Sequence, residues 1–276
     1  MRTCIKSRKN KQKPNRKNIA YSVKVIISIS LMILISSYQS VDAAEQVIIN
    51  DNHSSYISST GVFHVVGEIV NNLGKPVKNI QITAKFYDSN NNTIKTVSTY
   101  SMLNIILPGE KSPFEILLSD PKKVNEINNY SLTVSDYDKS MDVLQHNLRI
   151  ISHEHYISPA GYFNTHGKIL NEGPSKCTFT VVTAIFYGEN GKIVGTARGY
   201  TDPSTIISGK EAQFILVLRD EDQRRKVREY VLQVQSNESI MIPEFPIVII
   251  PLFIVLLASI IIIRRKMIQF PVHTPT

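Results

Sequence analysis

Gly61-Val-Phe-His-Val-Val-Gly-Glu-Ile-Val-Asn71 is the stretch that decides the fold. In an extended chain Phe63, Val65, Gly67 and Ile69 fall on one face and His64, Val66, Glu68 and Val70 on the other. That alternation marks a half-buried strand. The stretch returns one hundred residues later, without a gap, as Gly161-Tyr-Phe-Asn-Thr-His-Gly-Lys-Ile-Leu-Asn171. Outward from it the register holds at His53/His153, Tyr56/Tyr156 and Ile57/Ile157, then at Phe86-Tyr87/Phe186-Tyr187, Thr96/Thr196 and Tyr100/Tyr200. It continues through Gly109/Gly209, Phe114/Phe214, Leu118/Leu218, Asp120/Asp220 and Tyr130/Tyr230 to Val134/Val234. What recurs is apolar, aromatic and glycine positions, with few candidate catalytic groups. A period this long is a whole domain and not a solenoid unit.

Between the repeated strands the turn chemistry also recurs. Asn90-Asn91-Asn92 and Glu189-Asn190-Gly191-Lys192 sit where a hairpin reverses, and Asn and Gly tolerate the positive φ that such turns need. Pro108-Gly109 and Ser208-Gly209 mark a second turn in each copy. Asp120-Pro121 through Glu126 and Asp220 through Lys226 predict one helical turn per copy, with Asp as N-cap. The basic cluster Arg224, Arg225, Lys226 and Arg228 reads as a solvated face or, less simply, a docking patch. Short strands broken by turns every 8–12 residues or so predict an all-β chain with two tandem β-sandwich domains. Their bounds are 45–138 and 148–237, with a linker over 139–147 that is short enough to imply a stiff, stalk-like pair.

The net charge of +8 is terminal. Nine basic residues lie in the first 24 positions and three more are Arg264, Arg265 and Lys266, while the residues from Glu45 to Ile242 hold 19 basic and 21 acidic side chains. Basic flanks beside apolar runs set orientation in a membrane, so nucleic acid is not an expected partner. Residues 1–44 read as a signal peptide: a basic region, a core of about a dozen apolar residues from Val25, then Val41-Asp42-Ala43-Ala44. An uncleaved anchor is the competing reading. After a linker at 238–246, residues 247–263 read as a transmembrane helix, and 264–276 as a basic cytoplasmic tail. Phe245 to Ile263 is uncharged, and at 1.5 Å per residue it reaches ~28 Å, enough for the hydrocarbon core. The expected location is the cell membrane, single-pass, with the ectodomain outside.

Little chemistry is legible. Cys177 has no partner in the mature chain and reads as a small buried hydrophobe. His153 and His155 share one face of a strand about 7 Å apart, which would suit a metal if His146 or His166 supplied a third ligand. Two polar residues at a strand start are the plainer reading. No nucleophile elbow, Walker loop or zinc-protease helix occurs, so neither enzymatic activity nor a cofactor is expected. Asn52, Asn91, Asn129 and Asn237 begin N-glycosylation sequons, of which Asn91 and Asn237 are best placed.

Two resemblances sharpen this reading. Gly67 to Asn71, Ala84-Lys-Phe-Tyr-Asp88, Pro108-Gly109 and Phe114 resemble the FxLYD-type domain, an immunoglobulin-like sandwich of prokaryotic surface proteins. The second copy is similar, with Gly188 in place of the Asp. Pro243, Glu244, Phe245 and Pro246, the apolar span, and Arg264, Arg265 and Lys266 resemble the PEF-type sorting signal of archaeal surface proteins. That resemblance implies archaeosortase processing, although the chain runs ten residues past Lys266. The function these features imply is a non-enzymatic, membrane-anchored surface protein with two immunoglobulin-like modules. Its partners would be membrane lipid and envelope proteins or glycans, in adhesion, scaffolding or partner binding. The alternative is a ligand- or metal-binding accessory subunit of a membrane complex.

Overall fold

The computed structural model describes residues 46–142 and 144–241. The predicted signal peptide, transmembrane helix, sorting motif and basic tail lie outside these residues. Among the described residues no helix is long and apolar enough to cross a membrane. The described residues are all-β, with two short α-helices and one 3₁₀ turn at Glu189–Gly191.

The first repeat runs β1 (Val47–Ile49), β2 (Ser54–Ile57), β3 (Phe63–Asn71), β4 (Val77–Tyr87), β5 (Thr93–Tyr100), β6 (Ile105–Ile106), β7 (Lys111–Leu118), α1 (Pro121–Glu126) and β8 (Asn129–Lys139). One antiparallel sheet is built on β3, flanked by β1 and β2 on one side and β7 on the other. A second is built on β4, flanked by β5 and β6 on one side and β8 on the other. Val65, Ile69, Phe114 and Ile116 from the first sheet meet Ile80, Ile82, Ala84 and Phe86 from the second in one apolar cluster. The alternation read from the sequence therefore sets the inner face of each sheet.

The second repeat runs β9 (Gln145–Ile157), β10 (Phe163–Asn171), β11 (Val181–Tyr187), β12 (Ile193–Tyr200), β13 (Glu211–Leu218), α2 (Glu221–Lys226), β14 (Glu229–Gln235) and β15 (Ser239–Met241). Here β15 pairs antiparallel with β14 and parallel with β9, which joins both layers into one seven-stranded sheet. The sequence reading ended this repeat at 237, and the structure adds β15 beyond that point.

Several recurring residues have visible structural work. Asn71 and Asn171 are fully buried. Each donates to two backbone carbonyls, Lys75 and Ile106 in one copy, Ser175 and Ile206 in the other, at 2.7–2.9 Å. A buried amide satisfied in this way pins the β3–β4 loop, or its counterpart, against the turn before the next inner strand. Gly67 lies under the Phe114 ring and Gly167 under Phe214. Asp120 and Asp220 cap α1 and α2 with side-chain oxygens, as the sequence predicted. The hairpin turns contain Asn91 at φ 61° and Asn190 at φ 59°, and Gly109 and Gly209 also have positive φ. Cys177 is buried at 1% exposure beside Ile206.

Both repeats belong to one compact unit beginning at Gln46. β12 lies against β2, β3 and β7, and β11 against β7. The repeats are therefore packed sheet face on sheet face, where the linker reading had suggested a stalk.

Candidate functional site

His153 and His155 do share a face, and both rings pack around Tyr230. His153 Nδ1 lies 2.9 Å from the Tyr230 hydroxyl, and His155 stacks on Phe163 with ring centres 4.8 Å apart. The contact at His153 repeats that of His53 with Tyr130, also 2.9 Å. The proposed third ligands are elsewhere: His146 faces the Met241 carbonyl and His166 faces Glu154. Among the described residues no group of three or more His, Cys, Asp or Glu is gathered for a metal. The α2 basic cluster is partly neutralised, since Arg224 and Arg225 share Glu221 and Arg228 pairs with Glu189.

The sequon asparagines separate by environment. Asn91 and Asn129 are exposed, Asn91 in the β4–β5 turn. Asn237 is exposed too, but in the turn between β14 and β15, where its side chain meets Thr178. Asn52 is half-buried between the repeats, with Nδ2 donating to Glu68 at 3.1 Å.

The distinctive chemistry lies in that junction, which the sequence reading did not foresee. β3 is buried on both faces, because Val65 and Val66 are each fully covered. β11 is buried at every residue. Val66, Ile185, Tyr187 and Ile193 form an apolar cluster with Tyr56 packed against it. Beside it the Glu68 carboxylate has no solvent exposure. It accepts from Tyr187 Oη at 2.7 Å, Asn50 Nδ2 at 2.6 Å and Lys111 Nζ at 2.8 Å, in addition to Asn52. Burial pushes this carboxyl upward. The hydrogen bonds from Lys111, Tyr187 and Asn50, with the Lys111 charge, outweigh burial and hold it below its ordinary value. Burial and then Glu68 push the Tyr187 phenol upward.

Polar side chains complete the seam by bonding to backbone across it. Gln235 Oε1 accepts from the Asn104 and Ile105 amides, and its Nε2 donates to Ile105 O at 2.6 Å. Arg198 Nε reaches Met102 O at 3.0 Å and Gln233 Nε2 reaches Lys111 O at 2.8 Å. The Ile193 amide donates to Asn52 O at 2.9 Å.

Comparison of the copies explains why this docking forms once. Ile185 and Ile193 replace Lys85 and Thr93, and Arg198, Gln233 and Gln235 replace Ser98, Thr133 and Ser135. On the opposing face Val66 and Glu68 stand where the second copy has His166 and Lys168. Many core positions repeat, whereas these docking positions diverge; Tyr187, matched by Tyr87, is a docking residue that both copies keep. A polar residue giving way to isoleucine at matched outer positions is the signal from which the junction could have been read.

No protein-family model matches the chain and no curated protein matches it. Among solved structures it is similar to Amycolatopsis orientalis exo-chitosanase CsxA, at 11% identity and a TM-score of 0.26 over 72% of this chain and 26% of that one. It is also similar to red sea bream transglutaminase, at 10% identity and a TM-score of 0.22 over 73% and 31%. The chain spans about a quarter to a third of the length of these proteins. Likeness at this level carries no argument about activity.

Proposed function

We propose that this chain is a non-enzymatic, membrane-anchored surface protein whose two immunoglobulin-like sandwiches act as one rigid module for adhesion, envelope scaffolding or partner binding. The buried junction is the observation that carries this reading. Many residues shared by the copies serve the core, and several that set the copies apart, Val66, Glu68, Ile185, Ile193, Arg198, Gln233 and Gln235, fix one repeat against the other. Such an investment suits a protein that presents surfaces at a set geometry. Two facing sheets around one apolar core in the first repeat, and the parallel β9–β15 pair that closes the second, support the immunoglobulin-like reading and with it the FxLYD resemblance. The basic N-terminal region, the uncharged stretch before Arg264 and the PEF-like motif support display outside the cell, with archaeosortase processing as the route to the envelope.

Protease treatment of intact native cells, followed by membrane fractionation and intact-mass analysis, tests this. Loss of residues 46–241 to external protease, from a chain recovered with the membrane, is the expected result. A protein that stays protected and soluble in the cytosol would overturn it.

A further inference from the structure

The chain leaves the described residues at Met241, beside the start of the second repeat. The Met241 carbonyl lies 2.8 Å from His146 Nδ1, and the carbonyl of the next residue, Asn147, accepts from the Glu172 amide at 2.8 Å. The loop over 172–176 is therefore at the same end of the repeat as this exit. So is the turn over 207–210, since Ser208 Oγ donates to the Gly173 carbonyl and Cys177 exchanges backbone hydrogen bonds with Ile206. We propose that this end of the second repeat seats directly on a lipid surface. Such a seat presupposes the membrane-anchored reading and adds to it a contact that a tether alone does not require.

The end is tipped with exposed apolar side chains. Ile207, next to Ile206, is 62% exposed, and Phe179 is 63% exposed. Phe179 follows Thr178, whose carbonyl accepts from the Asn237 amide and whose own amide donates to Glu238, in the segment that leads into β15. Met141, 89% exposed, adds a third in the linker just before Gln145, which pairs with Ser239 of β15.

Phe179 sets this end apart from its copy. Its φ is 51°, a left-handed conformation that bulky side chains rarely adopt. At the matching position Asn79 has φ 54°, where Asn is at home, and its side chain donates to Asp138 at 2.8 Å. The second copy has exchanged a residue suited to the bend for one that strains it, and most of the ring is left uncovered by either repeat. Strain kept in order to expose an apolar ring points to a contact outside the fold.

The path of the chain selects the partner. Five residues separate Met241 from the predicted transmembrane helix at 247, a reach of at most ~20 Å. Lipid is thereby held close to this end, and aromatic side chains are at home at the headgroup level. Lys176 and Lys210 are exposed in the two turns and form no ion pair among the described residues, so they can meet anionic headgroups. The neighbouring carboxylates are occupied, Glu172 by Arg149 and Glu238 by Thr178.

The chain contains no tryptophan, so a single introduced indole is a unique reporter. Full-length Phe179→Trp and Ile207→Trp are placed in vesicles of equal parts phosphatidylcholine and phosphatidylglycerol, brominated on the upper acyl chain. Both should lose most of their emission relative to unbrominated vesicles. Ile157→Trp, about 40 Å along β9 from Gln145, should keep its emission. All three positions are exposed, so the replacements keep the fold intact. Flotation of the same vesicles reads anchoring separately. Variants that float while Phe179→Trp and Ile207→Trp stay unquenched would overturn the seat and leave the anchor standing. Blue-shifted but unquenched emission would place a second copy on this end and overturn the seat as well, as would equal quenching at all three positions. A chain that does not float would overturn both readings.

Discussion

The phenol of Tyr187 donates to Glu68 Oε2 at 2.7 Å, joining residues 119 positions apart that belong to different repeats. Both groups lie inside the seam, and the copy-matched residues Tyr87 and Lys168 could not make this bond to each other. The relationship is thus specific to one pairing of faces.

Removal of this carboxylate should be costly. Glu68→Ala strands the donors of Asn50, Asn52 and Tyr187, and should destabilise the protein by about 2–4 kcal/mol. Lys111 is half-exposed and can turn to water, which keeps the loss from rising further. Tyr187→Phe should cost about 1–2 kcal/mol because Glu68 keeps its other partners. Denaturant unfolding of the single and double variants should show coupling of about 1 kcal/mol or more, and strict additivity would contradict the contact.

Acid should loosen the seam. The folded Glu68 carboxyl is held below its ordinary value of 4.5, so it contributes stability above that pH. The contribution fades as pH falls through the lower folded value. His53 is also lowered, by burial first and then by Lys192, so its protonation below its ordinary 6.5 opposes folding as well. Thermal melts of the native protein should therefore lose stability on acidification from neutral pH, with a steeper loss below about pH 4.5. Glu68→Gln should flatten the lower limb, and an unchanged slope would contradict this assignment.

The copies can be made to exchange character. Ile185→Lys places the first repeat's residue in the seam and buries a charge beside Val66 and Tyr187. It should cost about 3 kcal/mol or more and split one calorimetric transition into two. Lys85→Ile on the exposed outer face should change stability by less than about 0.5 kcal/mol. Equal effects at both sites would refute the division into docking and free faces.

Gly67 and Gly167 are required by close approach, since their φ values are unexceptional. An added Cβ at Gly67 would meet Phe114 Cζ at 2.5 Å, and at Gly167 it would meet the Ser152 carbonyl and the Phe214 ring. Gly67→Ala should cost about 1–3 kcal/mol in chemical denaturation. Gly167→Ala should cost more, because backbone yields less readily than a ring.

Much of this architecture was legible because it is local. Alternation in β3 and β4, the Asn and Gly turns, and the Asp120 and Asp220 caps each depend on a few neighbouring residues. The junction was not legible. His64, Val66, Glu68 and Val70 read as an outward face, and nothing within the strand says that a second sheet covers them. That information is held in β11 and β12, more than a hundred residues away, as Ile185 and Ile193 where the first copy has Lys85 and Thr93. The histidine pair shows the converse. Spacing put His153 and His155 on one face, but Tyr230, a distant residue, packs edge-on against both rings.

Held by the seam, the two repeats should move as one body. Spin labels at Lys85→Cys and Lys168→Cys, on exposed faces of different repeats and in a Cys4→Ser, Cys177→Ala background, report their separation directly by pulsed electron resonance. One narrow distance distribution that broadens with Ile185→Lys is the result predicted. A broad distribution in the otherwise native seam would contradict it.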